Sequence, residues 1–175
     1  AASCFHLDQS DLWINPANPD HLAAANDGGV YLSYDHGKSW MHYNNIPAGE
    51  FYDITIDQKS GLIYGGTQDD ATVYGPAKEL DPFHPDPWKY LWIDPWDGGD
   101  GCVSQIDPED NNTVYFSAQH GAASRYDKNA DTSVYIQPEL PKNIQDTLRF
   151  NYITPYFISS YNHRTLYHAG NYVFK

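Results

Sequence analysis

Residues 12–35 read LWINPANPDHLAAANDGGVYLSYD. An apolar run stops at Ile14, an Asn- and Pro-rich turn follows, and a second short run leads through a Gly-containing bend into a third. Short apolar runs punctuated by turn formers are the signature of strands rather than helices. The same layout returns three times, as ITIDQKSGLIYGGTQDDATVYGPA (54–77), SQIDPEDNNTVYFSAQHGAASRYD (104–127) and YFISSYNHRTLYHAGNYVFK (156–175). In each copy the first run ends near an Ile, at Ile14, Ile56, Ile106 and Ile158, so the spacings are 42, 50 and 52 residues. A fourth strand is expected at Trp40–Tyr43, Tyr90–Ile93 and Ser133–Ile136. Four antiparallel strands at this period predict β-propeller blades, and no sustained 3.6-residue apolar pattern supports a helical repeat.

The expected fold is therefore all-β: a propeller segment of about three and a half four-stranded antiparallel blades, at roughly 1–46, 47–96, 97–138 and 150–175. Residues 78–89, KELDPFHPDPWK, read as a loop insert in the second blade, and 138–149 as a connector in which KNIQDTLR has the composition for one short helical turn. Closed propellers hold four to eight blades, so a larger propeller is expected, completed by further blades or by a partner chain.

Composition agrees with strands. The 175 residues include 15 Tyr, 7 Phe and 5 Trp but one Met, and 13 Gly and 12 Pro are spread along the chain. A formal net charge of −13, from 23 acidic against 10 basic residues, argues against a nucleic-acid partner, because phosphates must be neutralised by a basic patch that this sequence does not show. No apolar run is long enough to form a membrane helix, and no signal peptide is visible. Two cysteines, Cys4 and Cys102, are too few for a disulfide framework or a zinc site; they either pair or stay free.

Residues 33–40, SYDHGKSW, lie between two apolar runs, where a hairpin must turn. Ser33 and Asp35 can bond nearby backbone N–H groups, Gly37 can take a positive φ, and Trp40 can fold over the turn. The octapeptide resembles the Asp-box, Ser-x-Asp-x-Gly-x-Thr/Ser-Trp, of sialidases, sortilin-type receptors and xyloglucanase-like hydrolases. With YGGTQDD, GGDG and NNTVYFSAQHG, the chain looks like the bacterial sortilin-like, BNR-repeat exported propellers often labelled glycosyl hydrolase. That resemblance implies an extracytoplasmic location and a structural Asp-box, formed by Ser33, Asp35, Gly37, Ser39 and Trp40, on the blade periphery. It departs from the group at HLDQSD, where His6 and Asp8 are kept but the second His is Ser10.

In a propeller, the bends between strands two and three share a face with the inter-blade entries, and ligands bind on that face. The candidates there are Asn26, Asp27, Gln68, Asp69, Asp70, Gln119, His120 and Asn171 from the bends, and His6, Asp8, Glu50, Tyr52, Asp97, Asp100, Arg149 and Asn151 from the entries. Glycoside hydrolysis needs two carboxyl groups about 5 to 9.5 Å apart, so Asp27, Asp69 and Asp100 are the catalytic candidates. Sialidase chemistry needs three converging arginines, whereas Arg125 falls in a third strand and Arg164 in an opposite-face turn. DPWDGGDG offers Asp94, Asp97 and Asp100 as calcium ligands, without the EF-hand order or its closing Glu. No nucleophile elbow or phosphate loop is present. The leading functional expectation is a non-catalytic exported module binding a protein or polysaccharide; the alternative is a glycoside hydrolase.

Overall fold

The computed structural model describes residues 6–43, 49–78, 88–93 and 99–175. Their strands form four antiparallel meanders in chain order. The first is β1 (Gln9–Ile14), β2 (Leu22–Asn26), β3 (Gly29–Ser33) and β4 (Met41–Tyr43). The second is β5 (Phe51–Ile56), β6 (Leu62–Thr67), β7 (Asp70–Pro76) and β8 (Lys89–Leu91). The third is β9 (Gly99–Ile106), β10 (Thr113–Ala118), β11 (Ala123–Asp127) and β12 (Thr132–Tyr135), and the fourth is β13 (Tyr156–Ser159), β14 (Asn162–Ala169) and β15 (Val173–Phe174). Apart from a 3-10 turn at Gln119–Gly121, no helix occurs among the described residues, so the chain is all-β.

The four isoleucines occupy equivalent register positions. Ile14 pairs with Leu22, Ile56 with Ile63, Ile106 with Val114 and Ile158 with Leu166, always the first strand against the second. The next residue is the physical reason the strand stops there. Asn15 Oδ1 accepts the Ala17 N–H (2.9 Å), Asp57 Oδ1 the Lys59 N–H (3.0 Å), Asp107 Oδ1 the Glu109 N–H (2.9 Å) and Ser159 Oγ the Tyr161 N–H (3.2 Å). A side-chain acceptor two residues before the donor bends the chain away from the ladder, and all four copies use it.

The chain divides into two compact units, Ala1–Gly49 and Glu50–Lys175. The first holds one meander. In the second unit the Ile106 side of the third meander packs on the second: Val114, Phe116, Tyr126 and Ile106 meet Tyr64, Tyr74, Leu62 and Leu91 in one apolar cluster. Tyr64 and Tyr74 stack with centroids 5.1 Å apart. The fourth meander in turn lays its Ile158 side on the third, where the Tyr156 hydroxyl donates to the Val103 carbonyl at 2.6 Å.

Glycine sets how closely these layers approach. A Cβ on Gly66 would lie 1.9 Å from the Cys102 carbonyl oxygen, and one on Gly101 would lie 2.0 Å from that of Ala71. Bare backbone there lets β9 run across β6 and join β7 through a short parallel bridge, Asp70 beside Gly99 and Ala71 beside Asp100.

Two expectations need correction. KNIQDTLR forms no helical turn; the connector runs without strand or helix, with one turn closed by the Ile144 N–H on the Pro141 carbonyl (2.9 Å). A single helical turn has no intrinsic stability, and this mostly exposed segment has no apolar face to bury. Arg164 is not in a turn but in β14, which begins at Asn162 because Asn162 already pairs with Ser159 across a tight two-residue turn. Most of the insert over 78–89 lies outside the described residues; its end, Trp88, covers Gly75.

Candidate functional site

In the first unit the Asp-box octapeptide is a closed set of local bonds. Ser33 Oγ donates to Asp35 Oδ1 (2.9 Å) and accepts the Gly37 N–H (2.9 Å), while Asp35 takes the Ser39 N–H (2.8 Å) and the Ser39 hydroxyl (2.6 Å). The Ser39 bonds come first among the causes that hold the Asp35 carboxyl down at about 2. Gly37 has φ +80°, and the Trp40 ring lies 3.7 Å from where its Cβ would be. The side chains of Ser33, Asp35 and Ser39 are all used within the turn. At the other end of this meander Asn26 is buried, its amide donating to the His6 carbonyl and Gln9 Oε1 (both 3.4 Å) and accepting the Gly28 N–H (3.0 Å). Asp8 and Asp27 are exposed beside it.

In the second unit the structure gathers many of the remaining candidates around one carboxylate. Asp100, at the start of β9, is buried; its Oδ1 accepts the Asp69 N–H (2.9 Å), and its Oδ2 accepts the hydroxyls of Tyr52 (2.9 Å) and Tyr152. Tyr52 enters the second meander, Asp69 sits in its β6–β7 bend, and Tyr152 enters the fourth, so one side chain joins three meanders. Burial works against the Asp100 charge, but the bonds from Tyr152, the Asp69 amide and Tyr52 outweigh it and hold the carboxyl below its usual range. The same charge pushes the Tyr52 phenol up to about 12.

The neighbouring bend completes the cluster. Gln119 packs its amide against Gly99, where φ is +90°, and the His120 N–H donates to the Tyr152 carbonyl (3.0 Å) with the two rings edge to face at 5.2 Å. Asp69, Ala71 and His120 all hold positive φ, at 62°, 57° and 58°. Gln68 is exposed, and its N–H bonds the Glu50 carbonyl (3.0 Å); Asp70 begins β7. Arg149 stands apart with Asn171: the Arg149 N–H donates to Asn171 Oδ1 (2.8 Å), the Asn171 N–H to the Arg149 carbonyl (3.0 Å), and Asp146 accepts the Tyr172 hydroxyl (2.8 Å). Asn151 is exposed, its carbonyl accepting the Thr154 hydroxyl (2.8 Å).

The opposite end of this unit is pinned by two further acids. Asp57 accepts Asn111 Nδ2 (3.2 Å) and Lys128 Nζ (3.1 Å) from the third meander, and Asp107 accepts His163 Nδ1 (2.9 Å) from the fourth. In each case the buried turn acid of one meander is bonded by the next. Both carboxyls sit low: burial opposes ionisation, but the bonds of Ser60, Asn111 and Lys128 overcome it at Asp57, as those of the Asp110 amide and His163 do at Asp107.

Tyr152, Asp57, Asp107 and His163 were absent from the sequence candidates. The repeated position after each Ile was the available signal for the two acids; nothing local marks Tyr152 or His163. Asp94, Asp97 and Cys4 lie outside the described residues. Among the described residues no group of three or more His, Cys, Asp or Glu side chains is arranged to hold a metal ion. Cys102 is a buried free thiol, pushed up to about 12 by burial and thus a poor nucleophile. No helix among the described residues is long and apolar enough to cross a membrane. No protein-family model matches the chain, and no curated protein aligns with it.

Proposed function

We propose that the chain is a non-catalytic β-propeller module, of the exported Asp-box kind, whose meanders are blades presenting surface to a protein or polysaccharide partner. The observation that carries this reading is the saturation of Asp100. A general acid must hold a proton and a nucleophile must offer a free lone pair to substrate. Asp100 does neither, because it is buried, ionised and bonded by three donors. Asp69 adds its backbone N–H to this set of donors, so the junction reads as an anchor of the fold.

The repeated Ile register and turn acceptors support the blade assignment, and the self-contained Asp-box supports a structural role for that motif. Glycoside hydrolysis is the second reading, favoured only by the meeting of Asp69 with Asp100 in one junction. The test is turnover of a panel of chromogenic α- and β-glycosides by the chain and by its Asp69→Asn variant. Scaffold function predicts no release of chromophore by either; release by the parent chain that Asp69→Asn abolishes would overturn it.

A further inference from the structure

Residues 146–152 of the connector lie across the bend ends of the third and fourth meanders. Toward the fourth, Asp146 accepts the Tyr172 hydroxyl (2.8 Å), the Thr147 carbonyl accepts Asn171 Nδ2 (3.2 Å), and the Arg149 carbonyl accepts the Asn171 N–H (3.0 Å). Toward the third, the Tyr152 carbonyl accepts the His120 N–H (3.0 Å), and the Tyr152 hydroxyl donates to Asp100. Between these two sets of bonds the Phe150 ring rests on bare backbone: a Cβ on Gly170 would lie 2.8 Å from it, and one on Gly121 closer still. A segment without strand or helix is thus held as a strap, with one aromatic ring at its centre.

Against that ring lies His168 of β14, with centroids 5.1 Å apart, and Tyr156 is at 5.8 Å. His168 is 4% exposed, and its Nε2 has no hydrogen-bond partner. The described groups packed around it carry no charge. β13 supplies the Tyr156 phenol, whose hydroxyl goes to the Val103 carbonyl, and β15 supplies Phe174, paired opposite. On the strap, Arg149 turns its guanidinium to Asp146. On the third meander, His120 sets its ring edge to face with Tyr152, while Cys102, like Asp53 of the second, acts on Tyr156 rather than on His168. Burial alone acts on the imidazole, and it lowers the pKa. A proton on this ring therefore places a charge where no carboxylate meets it and a charged donor at Nε2 where no acceptor lies.

Of the elements around His168, the strap is the one that can yield. The β13–β14 and β14–β15 ladders hold the imidazole's own strand, whereas the strap has no ladder, and Arg149 and Asn171 at its edge are exposed. We propose that residues 146–152 are an acid-released strap: protonation of His168 lifts Phe150 off Gly121 and Gly170, lets water reach Nε2 and draws Tyr152 away from Asp100. The end of the second unit where Asp69, Asp100 and His120 meet thus presents one surface at neutral pH and another in mild acid. This device goes beyond the scaffold reading and does not depend on it.

The test is amide hydrogen exchange in the full chain, read by NMR at about pH 7.5 and about pH 5 with rates corrected for their intrinsic pH dependence. The amides of His120, Arg149 and Asn171 report on the strap, since each bonds between it and a meander; ladder amides of β10 are the control. A freed imidazole has a pKa of about 6.5 and is almost fully protonated at about pH 5, so strap protection should fall at least about fivefold more than that of β10. His168→Leu should abolish the difference, and His120→Gln should keep it. In the parent chain the loss should follow the titration of the His168 ring itself, which keeps the test decisive if His168→Leu fails to fold.

Equal protection at the two pH values, or protection that rises in acid because the rings hold the imidazolium, would overturn the proposal. So would a response that survives His168→Leu, or β10 amides that fall in step with the strap. A response lost in His120→Gln would assign the switch to the exposed His120 and overturn it likewise.

Discussion

Replacing Asp100 by Asn tests the claim that this carboxylate is an anchor rather than a reagent. The side chain keeps its volume but cannot reproduce the bonding. Oδ1 accepts the Asp69 N–H at 2.9 Å, while Oδ2 accepts Tyr52 at 2.9 Å and also Tyr152. An amide turned to give its oxygen to the phenols puts its NH2 against the Asp69 N–H; turned the other way, it meets two hydroxyls that have no acceptor. At least one bond is lost, and the others lose their charge. Bonds to a charged group contribute roughly 1.5–3 kcal/mol each, so Asp100→Asn should destabilise the second unit by about 2–4 kcal/mol.

Urea denaturation followed by tyrosine fluorescence and far-UV circular dichroism measures that loss. The pH dependence adds a sign. The folded-state pKa of Asp100 lies below its unfolded value of about 3.9, so its contribution is complete above about pH 4 and is lost as pH falls through the folded value. The parent chain should therefore lose stability in that acid window more steeply than the variant. If Asp100→Asn matches the parent within about 0.5 kcal/mol and shows the same acid slope, the three bonds are not what holds the junction, and the carboxylate is free for other chemistry.

Two more substitutions probe the layers. Gly66→Ala would place a Cβ 1.9 Å from the Cys102 carbonyl, a backbone atom that cannot step aside, so the second unit should lose at least about 3 kcal/mol or fail to fold. Gly61→Ala, with open space around it but φ +71°, should cost only about 1 kcal/mol, and equal losses in the two melts would refute the close approach of β9 to β6. His168 is buried between Phe150 and Tyr156 at 5.1 and 5.8 Å, and burial lowers its pKa. Its unfolded form takes up a proton below about pH 6.5 more readily than the folded form, so stability falls as pH drops below about 6.5 until the folded imidazole is protonated as well. His168→Leu should flatten that part of the stability curve, and an unchanged slope would show that the imidazole is solvated in the fold.

What the sequence made legible is what repeats. Ile14, Ile56, Ile106 and Ile158 end equivalent runs because alternation and turn chemistry are local, and both can be read along the chain without a partner. The bend residues Asp69, Gln119 and His120 were legible as one site by the same logic, since copies of one turn fall at one end of their meanders. Tyr152 was not. Its hydroxyl reaches an acid 52 residues away, across two layers, and its own neighbours Asn151 and Ile153 carry no sign of that. The close approach at Gly66 was not read from the sequence, because only the crossing of β9 brings Cys102 against it. KNIQDTLR shows the converse failure, a composition suited to a turn of helix in a place that offers no surface to stabilise one.

The distribution of carboxylates explains why an acidic chain of this kind need not be a catalyst. Asp100 holds the bend end of the second unit, Asp57 and Asp107 hold the turn end, and Asp35 closes the hairpin of the first; all four are drawn below the ordinary carboxylate range by donors of the fold itself. A catalytic acid shows the opposite arrangement, apolar burial that keeps its proton near neutral pH. Each of these residues also lies where two segments of backbone must be held without a continuous ladder between them: at a bend, a turn or a junction of meanders. Short strands leave many such places. An ionised Asp fills them well because it accepts several N–H and O–H donors at once. The negative charge of this chain is in that measure a property of its architecture.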